Sequence, residues 1–114
     1  MIVKKDLPNC PVATTVSIIG NKWKLLIIRN LLTGSQRFTD LLNNVDGISK
    51  KVLTENLRSL EGDGIINREV FPDEVPIKVE YSLSDIGKTL NEVFDMLTIW
   101  GNNYKELIKN YSSE

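Results

Sequence analysis

The feature that most restricts the fold of this chain is a change in apolar spacing between residues 38 and 83. Two segments with apolar residues three or four apart, the spacing of helices, are joined by a turn at Asp46-Gly47. Two segments follow in which apolar and polar residues alternate, the spacing of half-buried strands. Because an isolated two-stranded hairpin is only marginally stable, it must pack on the helices. The pattern therefore predicts a helical pair that carries a β-hairpin.

The second helix of this pair is predicted over residues 49–61. Leu53, Leu57 and Leu60 lie within an arc of about 60° on a helical projection. Ser49 begins this segment as the N-cap, a position where a hydroxyl accepts a hydrogen bond from a first-turn amide. The side chains that point away from the leucines are Lys51, Thr54, Glu55 and Arg58. This polar outer face is either a solvated surface or a binding surface.

Three further helices and the hairpin complete the order of elements. A short first helix begins at Pro11, and the nearly continuous apolar run at 23–32 predicts a buried second helix. Phe38 begins the third helix, and the strands are predicted at 65–71 and 77–83. This order predicts a winged helix-turn-helix domain over residues 1–114, an α+β and mostly α fold with a two-stranded wing.

The C-terminal segment, residues 85–109, is predicted to form one long helix with a regular apolar stripe. The stripe consists of Ile86, Leu90, Val93, Leu97, Trp100, Tyr104 and Leu107. The average spacing of about 3.5 residues favours packing against another helix. We expect the first half of the stripe to cover the core of its own domain. The second half, from Leu97 to Leu107, is expected to form a homodimer interface.

Composition removes most other functions. With 114 residues, of which 41% are hydrophobic, the chain can bury one core. It contains no histidine and one cysteine, which argues against histidine-based catalysis and Cys/His zinc sites. Nucleotide-binding glycine patterns, membrane-length apolar runs and a signal-peptide segment are also missing from the sequence. We therefore expect a cytoplasmic protein that is not an enzyme and uses no metal or cofactor.

The net charge of −1 conceals an asymmetry along the chain. Residues 1–58 hold nine Lys or Arg and four Asp or Glu, a balance of +5. Residues 59–114 hold five and eleven, a balance of −6. Salt screens exposed charges beyond about 8 Å, so a basic face in the first half can bind phosphate although the whole chain is weakly acidic.

Three segments resemble the HxlR-type bacterial transcription regulators: "NCPVATTVSIIGNKWKLLIIRNLLTGSQRFTDLL", "GISKKVLTENLRSLEGDGII" and "VPIKVEYSLSDIGKTL". The resemblance covers residues 9–101 and includes the Cys-Pro, Gly-x-Lys-Trp, Arg-Phe and Val-Glu-Tyr motifs. It implies a winged-helix homodimer that binds double-stranded DNA at an inverted-repeat operator. It also implies that the N- and C-terminal helices form the dimer, which adds Val12 and Val16 to the expected interface.

If the helix at 49–61 enters the major groove, its outer side chains meet the edges of the bases. Lys51 and Arg58 can donate hydrogen bonds to guanine or to a phosphate, and Thr54 can contact a thymine methyl group. Glu55 can accept a hydrogen bond from cytosine N4. Alternatively, Glu55 pairs with Lys51 or Arg58 on its own helix.

Four residues are candidates for contacts beyond the base edges. Ser49 and Lys50 lie at the positive end of the helix dipole, which suits a phosphate. Arg37 opens the third helix, where this motif contacts the DNA backbone. Lys78 in the second strand either contacts DNA or is a solvated strand residue.

Cys10 precedes Pro11 and is therefore expected at the N-cap of the first helix, where the dipole favours the reactive thiolate. Some HxlR-type regulators sense thiol-reactive compounds through a cysteine in this Cys-Pro motif. Cys10 is therefore either a redox sensor, one route by which a thiol-reactive or small-molecule effector could act, or a plain buried thiol. By contrast, Trp23, Phe38 and Trp100 are expected in the core, because each lies on an apolar helical stripe.

A different class of function is also open. The acidic pair Asp73-Glu74 at the tip of the predicted wing favours a protein–protein docking module that does not bind DNA. Salt-dependent retention on heparin or on non-specific DNA would separate the two functions, because a docking module should not show it.

Overall fold

The computed structural model describes residues 6–112, within which the chain forms six helices and three strands. The helices are α1 (Pro11–Ile19), α2 (Lys22–Leu31), α3 (Phe38–Asn44), α4 (Lys50–Gly62), α5 (Asp85–Lys88) and α6 (Asn91–Ser112). The strands are β1 (Gln36–Arg37), β2 (Ile66–Phe71) and β3 (Lys78–Leu83). Helices α3 and α4 form the helix-turn-helix, and β2 and β3 form the wing. The predicted winged helix-turn-helix fold is confirmed.

Polar side chains fix where α2 and α4 begin. The Asn21 side chain accepts a hydrogen bond from the backbone N–H of Lys24 at 2.8 Å. The Ser49 hydroxyl accepts one from the backbone N–H of Val52 at 3.1 Å. The Ser49 cap agrees with the sequence-based prediction. Gly47, in the turn between α3 and α4, has a φ of +80°, a conformation that glycine adopts at little cost.

The core lies between α2, α3, α4 and the sheet. Its fully buried side chains are Ile27, Ile28, Leu41, Val45, Leu53, Leu57, Leu60 and Ile66. Trp23 and Phe38 are partly buried against this cluster, as expected. Trp100 is 68% exposed, so its assignment to the core of its own chain is wrong. The reason is that α6 extends past the region that the core occupies.

The sheet has three antiparallel strands in the order β1-β3-β2, one strand more than the predicted two-stranded wing. In β1, Gln36 lies opposite Tyr81 and Arg37 lies opposite Glu80. A strand of two residues is too short for alternation to be detected in a sequence. Because β1 directly precedes α3, it links the helix-turn-helix to the wing through backbone hydrogen bonds.

The predicted long C-terminal helix is confirmed as α6, but its predicted start at residue 85 is wrong, because the separate short helix α5 precedes it. Helix α5 ends at Lys88, and Thr89 is its C-cap. Gly87 in α5 lies so close to Ile65 that a Cβ atom would collide with the Ile65 carbonyl oxygen. The helix is interrupted at Thr89 and Leu90, and α5 is docked against the backbone at the start of β2.

Helix α6 is anchored to the rest of the chain by few side chains. Between residues 91 and 111, Phe94 is the one buried residue, and Leu90 just before the helix is partly buried. Ile86 and Val93 are exposed, so the prediction that they cover the core is wrong. Helix α6 has 22 residues, which at about 1.5 Å per residue gives a length of about 33 Å.

Candidate nucleic-acid interface

The outer face of α4 presents the predicted base-reading side chains together. Lys51, Glu55 and Arg58 are exposed, and Thr54 is partly exposed. Within residues 6–112, no ion pair joins Glu55 to Lys51 or to Arg58. The alternative in which Glu55 neutralises these cations is therefore not seen, and all three charged groups are available to a ligand.

Hydrogen bonds orient the side chains of Thr54 and Asn56 on α4. Thr54 Oγ1 donates to the Lys50 carbonyl oxygen at 2.8 Å, so its methyl group remains for an apolar contact. Asn56 Nδ2 donates to the Val52 carbonyl oxygen at 2.7 Å. Asn56 Oδ1 accepts a hydrogen bond from Asn21 Nδ2 at 3.3 Å. Asn56 therefore ties α4 to the start of α2.

The start of α4 carries Ser49 and Lys50, both exposed. Because the Ser49 hydroxyl oxygen already accepts the Val52 N–H, its own hydrogen remains to be donated. A phosphate oxygen accepts such a hydrogen bond, and the positive end of the helix dipole favours the phosphate charge. The geometry of these two residues fits the phosphate contact predicted for them.

Arg68 on β2 lies beside α4 and is absent from the set of residues predicted from the sequence. It is exposed and lines a cavity of about 360 Å³ together with Thr54, Arg58, Glu61 and Tyr81. In the register of the strands Arg68 lies opposite Tyr81, so both side chains project from the sheet face that packs on α4. The sequence could have identified Arg68, because it lies two residues after Ile66, a core residue, and so projects from the same face of the strand.

Lys78 and Arg37 project from the other face of the sheet. Lys78 and Glu80 are two residues apart on β3 and so share this face. Arg37 lies opposite Glu80 in the register. The Lys78 Nζ atom is 2.6 Å from Glu80 Oε2 and 4.0 Å from Glu74 Oε2. It also lies 4.8 Å from the centroid of the Phe71 ring. These carboxylates offset the charge of Lys78, which weakens it as a candidate DNA contact.

Exposed apolar side chains on α1 and α6 form a second surface. The predicted interface residues are all exposed: Val12, Val16, Leu97, Trp100, Tyr104 and Leu107. On α6 the stripe is wider than predicted, because Met96, Ile108 and Tyr111 are exposed within the same arc of about 120°. The rings of Trp100 and Tyr104 stack with 5.4 Å between their centroids. A contiguous exposed apolar surface made of this many large side chains is typical of an interaction surface.

Cys10 is the N-cap residue of α1, as predicted, and its thiol is exposed. The alternative of a buried structural thiol is therefore wrong. The side chain makes no capping hydrogen bond to the helix, so the sulfur is open to reagents. Lys4 and Lys5, which precede Cys10 in the sequence, lie outside the described residues.

A larger cavity of about 630 Å³ lies between the end of α2, the sheet and α5. Its polar lining side chains are Thr33, Ser35, Asn67, Ser82, Asp85, Lys88 and Asn91. It shares no lining residue with the cavity between α4 and β2. In the part of the chain that the structure describes, no group of three or more His, Cys, Asp or Glu side chains is placed to hold a metal ion.

A capped helix with a polar outer face, held between α3 and a β-hairpin, defines the winged helix-turn-helix class, whose members bind DNA. Residues 18–109 match the HxlR-like helix-turn-helix family. The chain belongs to this family of transcriptional regulators.

Individual relatives agree with this assignment. YdeP of Bacillus subtilis, an uncharacterized HTH-type transcriptional regulator, is 45% identical over 103 residues, which cover 90% of this chain and 80% of YdeP. The redox regulator HypR in its reduced form is 37% identical with a TM-score of 0.81, covering 89% of this chain and 99% of the HypR chain. The reduced transcriptional regulator YodB of B. subtilis is 36% identical with a TM-score of 0.73, covering 85% and 94%. These relatives are transcriptional regulators, a non-enzymatic class.

Proposed function

We propose that this regulator binds operator DNA as a homodimer, with α4 of each chain in a major groove. The observation that carries the proposal is the outer face of α4, where Lys51, Thr54, Glu55 and Arg58 project away from the core. The opposite face of α4 is buried, which fixes its rotation and presents these side chains in one orientation. Lys51 and Arg58 donate to guanine or to a phosphate, Thr54 contacts a thymine methyl group and Glu55 accepts from cytosine N4.

Contacts to the DNA backbone would set the register of α4 in the groove. Ser49 and Lys50 bind a phosphate at the start of the helix, supported by the free hydroxyl hydrogen of Ser49. Arg37 contacts the backbone from the start of α3. Lys78 remains the least supported member of this set, because Glu80 and Glu74 offset its charge.

The second copy of the chain would cover the apolar stripe of α6 and the exposed valines of α1. The stripe supports this proposal because eight exposed apolar side chains lie on one side of α6, whose one buried side chain between residues 91 and 111 is Phe94. A two-fold dimer places two copies of α4 on the same side of DNA. An inverted-repeat operator with half-sites about 34–36 Å apart matches this symmetry.

Cys10 is proposed as the residue through which a thiol-reactive compound alters DNA binding. Its exposed thiol and its position at the start of α1 support this role. The relative HypR is a redox regulator, and YodB has also been solved after treatment with diamide. With one cysteine in each chain, oxidation can cap the thiol or join two chains through a disulfide. A small-molecule effector would instead find room in the cavity of about 630 Å³ beside α5.

Selection of bound sites from random duplex DNA tests the central proposal. We expect an inverted repeat to be enriched, and we expect Lys51→Ala and Arg58→Ala to bind it more weakly while remaining folded. Lys105→Ala, an equal change of charge on exposed α6, is the matched control and should bind normally. If no sequence is enriched and the wild-type chain is not retained on heparin, the alternative function, a protein–protein docking module that does not bind DNA, is better supported. The acidic, solvent-exposed wing tip at Asp73 and Glu74 would then be its candidate contact surface.

A further inference from the structure

We propose that Arg58 and Arg68 together clamp one phosphate of the DNA backbone in the cavity between α4 and β2. The proposal rests on the proposed function, because it requires α4 to lie in the major groove. The cavity of about 360 Å³ is lined by residues of both elements: Thr54, Leu57, Arg58, Glu61, Arg68 and Tyr81. The two arginines therefore line the same space, one from the recognition helix and one from the wing.

The charge of this cavity favours an anion. Among residues 6–112, neither Arg58 nor Arg68 has an ion pair or a side-chain hydrogen bond. Glu61 is the one carboxylate that lines the cavity, so two positive charges face a single negative one. Each guanidinium offers planar paired donors that match two oxygens of a phosphate.

The nearby carboxylates of the wing do not cancel this charge. Glu69 lies opposite Glu80 in the register, and Arg68 lies opposite Tyr81. Because neighbouring strand residues alternate between faces, Glu69 and Glu80 project away from the cavity. Glu80 is also paired with Lys78 on that other face.

The position of Arg58 along α4 points to the backbone rather than to a base edge. Residues in the first turns of a recognition helix approach the bases most closely. Arg58 follows Lys50 by eight residues, which places it about 12 Å further along the helix axis, towards the edge of the groove. Phosphates form that edge, and Arg68 approaches the same place from β2. One DNA strand would thus pass between α4 and the wing, and base reading would fall to Lys51, Thr54 and Glu55.

Thr54, four residues before Arg58 on the same face of α4, also lines the cavity. The Thr54 hydroxyl hydrogen is engaged by the Lys50 carbonyl oxygen, so Thr54 turns no free donor towards the cavity. The anion would therefore be held by the two arginines, and loss of either should release the same contact. This makes the clamp separable from the base contacts of α4 by experiment.

The test measures the DNA affinity of the full chain at a series of salt concentrations, with fluorescence anisotropy as the readout. Wild type, Arg58→Ala, Arg68→Ala, the double variant and Arg68→Lys are titrated against the selected operator and a random duplex of equal length. Lys105→Ala controls for the loss of one positive charge. Circular dichroism and thermal unfolding confirm that each exposed-residue variant is folded.

We expect Arg68→Ala to weaken binding to both duplexes by the same factor, because a phosphate contact carries no sequence information. The slope of log K against log salt should fall by about 0.9, so the defect shrinks about 3.5-fold between 50 and 200 mM salt. The double variant should bind little worse than either single variant, because both lose the same contact. Arg68→Lys should keep the slope and lose part of the affinity, and Lys105→Ala should match wild type.

Unchanged affinity and slope in Arg68→Ala overturn the clamp, as does a loss that is confined to the operator. In both cases the proposed function survives if Lys51→Ala still weakens operator binding. An experiment with inorganic phosphate tests whether the site binds a free anion instead of a DNA phosphate. If millimolar phosphate raises the unfolding temperature of wild type but not of Arg68→Ala, while both bind DNA equally, the site serves a free anion and the clamp is refuted. Absence of any salt-dependent DNA binding by wild type refutes the proposed function itself.

Discussion

Tyr104→Asp should weaken dimerisation by at least about 70-fold without unfolding the chain. Tyr104 lies in the middle of the α6 stripe, is 51% exposed and stacks on Trp100. A tyrosine side chain has about 200 Å² of surface, so about 100 Å² of it is open in each chain. Two copies in a two-fold interface would cover about 200 Å², worth about 5 kcal/mol at about 25 cal/mol per Å².

Partial coverage of the ring lowers this value. If only half of the exposed area is covered, the loss is about 2.5 kcal/mol, which corresponds to a dimer dissociation constant about 70-fold higher. Adding a carboxylate to the interface would increase the loss further. The folded monomer should be little affected, because Tyr104 makes no contribution to the buried core.

Sedimentation equilibrium over the micromolar range measures both states. Asn102→Asp is the matched control, because it adds the same charge on the same helix about 160° away from Tyr104. We expect the control to remain dimeric and to unfold at the same temperature as wild type. A wild-type chain that is monomeric at micromolar concentration, or a Tyr104→Asp chain that dimerises as well as the control, would refute the interface.

Three further predictions concern the thiol and the local structure. Diamide should reduce operator binding by wild type, reductant should restore it where a disulfide has formed, and Cys10→Ser should be indifferent to diamide; an equal response of both proteins would contradict the sensor role. Gly87→Ala should lower the free energy of unfolding by about 1–3 kcal/mol in urea, because the new methyl group meets the carbonyl oxygen of Ile65. Gly101→Ala is its control: it meets no neighbour within 4 Å and should be neutral or slightly stabilising. Ser49→Ala should cost about 1 kcal/mol of stability through loss of the α4 N-cap, measured by thermal unfolding against wild type.

Local patterns were sufficient to predict most elements of the fold. The spacing of Leu53, Leu57 and Leu60 and the alternation in β3 report directly which side of each element is buried. The caps at Asn21 and Ser49 follow from the hydrogen-bonding ability of their side chains. These features depend on residues that lie close together in sequence, so they can be read without knowledge of the rest of the fold.

Features set by tertiary contacts could not be predicted in the same way. The break between α5 and α6 depends on the approach of Gly87 to Ile65, two residues 22 positions apart in the sequence. The exposure of Trp100 depends on how far α6 extends past the region that the core occupies. A periodic stripe shows that a helix face must be covered, but it does not show whether the same chain or another molecule covers it.

The pairing of Arg58 with Arg68 is a further case. A helical projection identifies the outward direction of Arg58, and strand alternation identifies the face of Arg68. The distance between them depends on how β2 is placed against α4, which neither pattern specifies. Such a pairing therefore becomes visible in the structure and not in the sequence.

The attachment of α6 through Phe94 makes this helix a lever with its pivot near one end. About 25 Å of helix separates Phe94 from Tyr111, at about 1.5 Å per residue. A tilt of about 8° about Phe94 therefore moves the far end by about 3.5 Å, which is close to the rise of one base pair. If the far end is fixed by a second copy, the same tilt instead displaces Phe94 and the domain attached to it by the same distance. The packing around one phenylalanine therefore sets the position of the domain relative to the far end of α6 on the scale of one base-pair step.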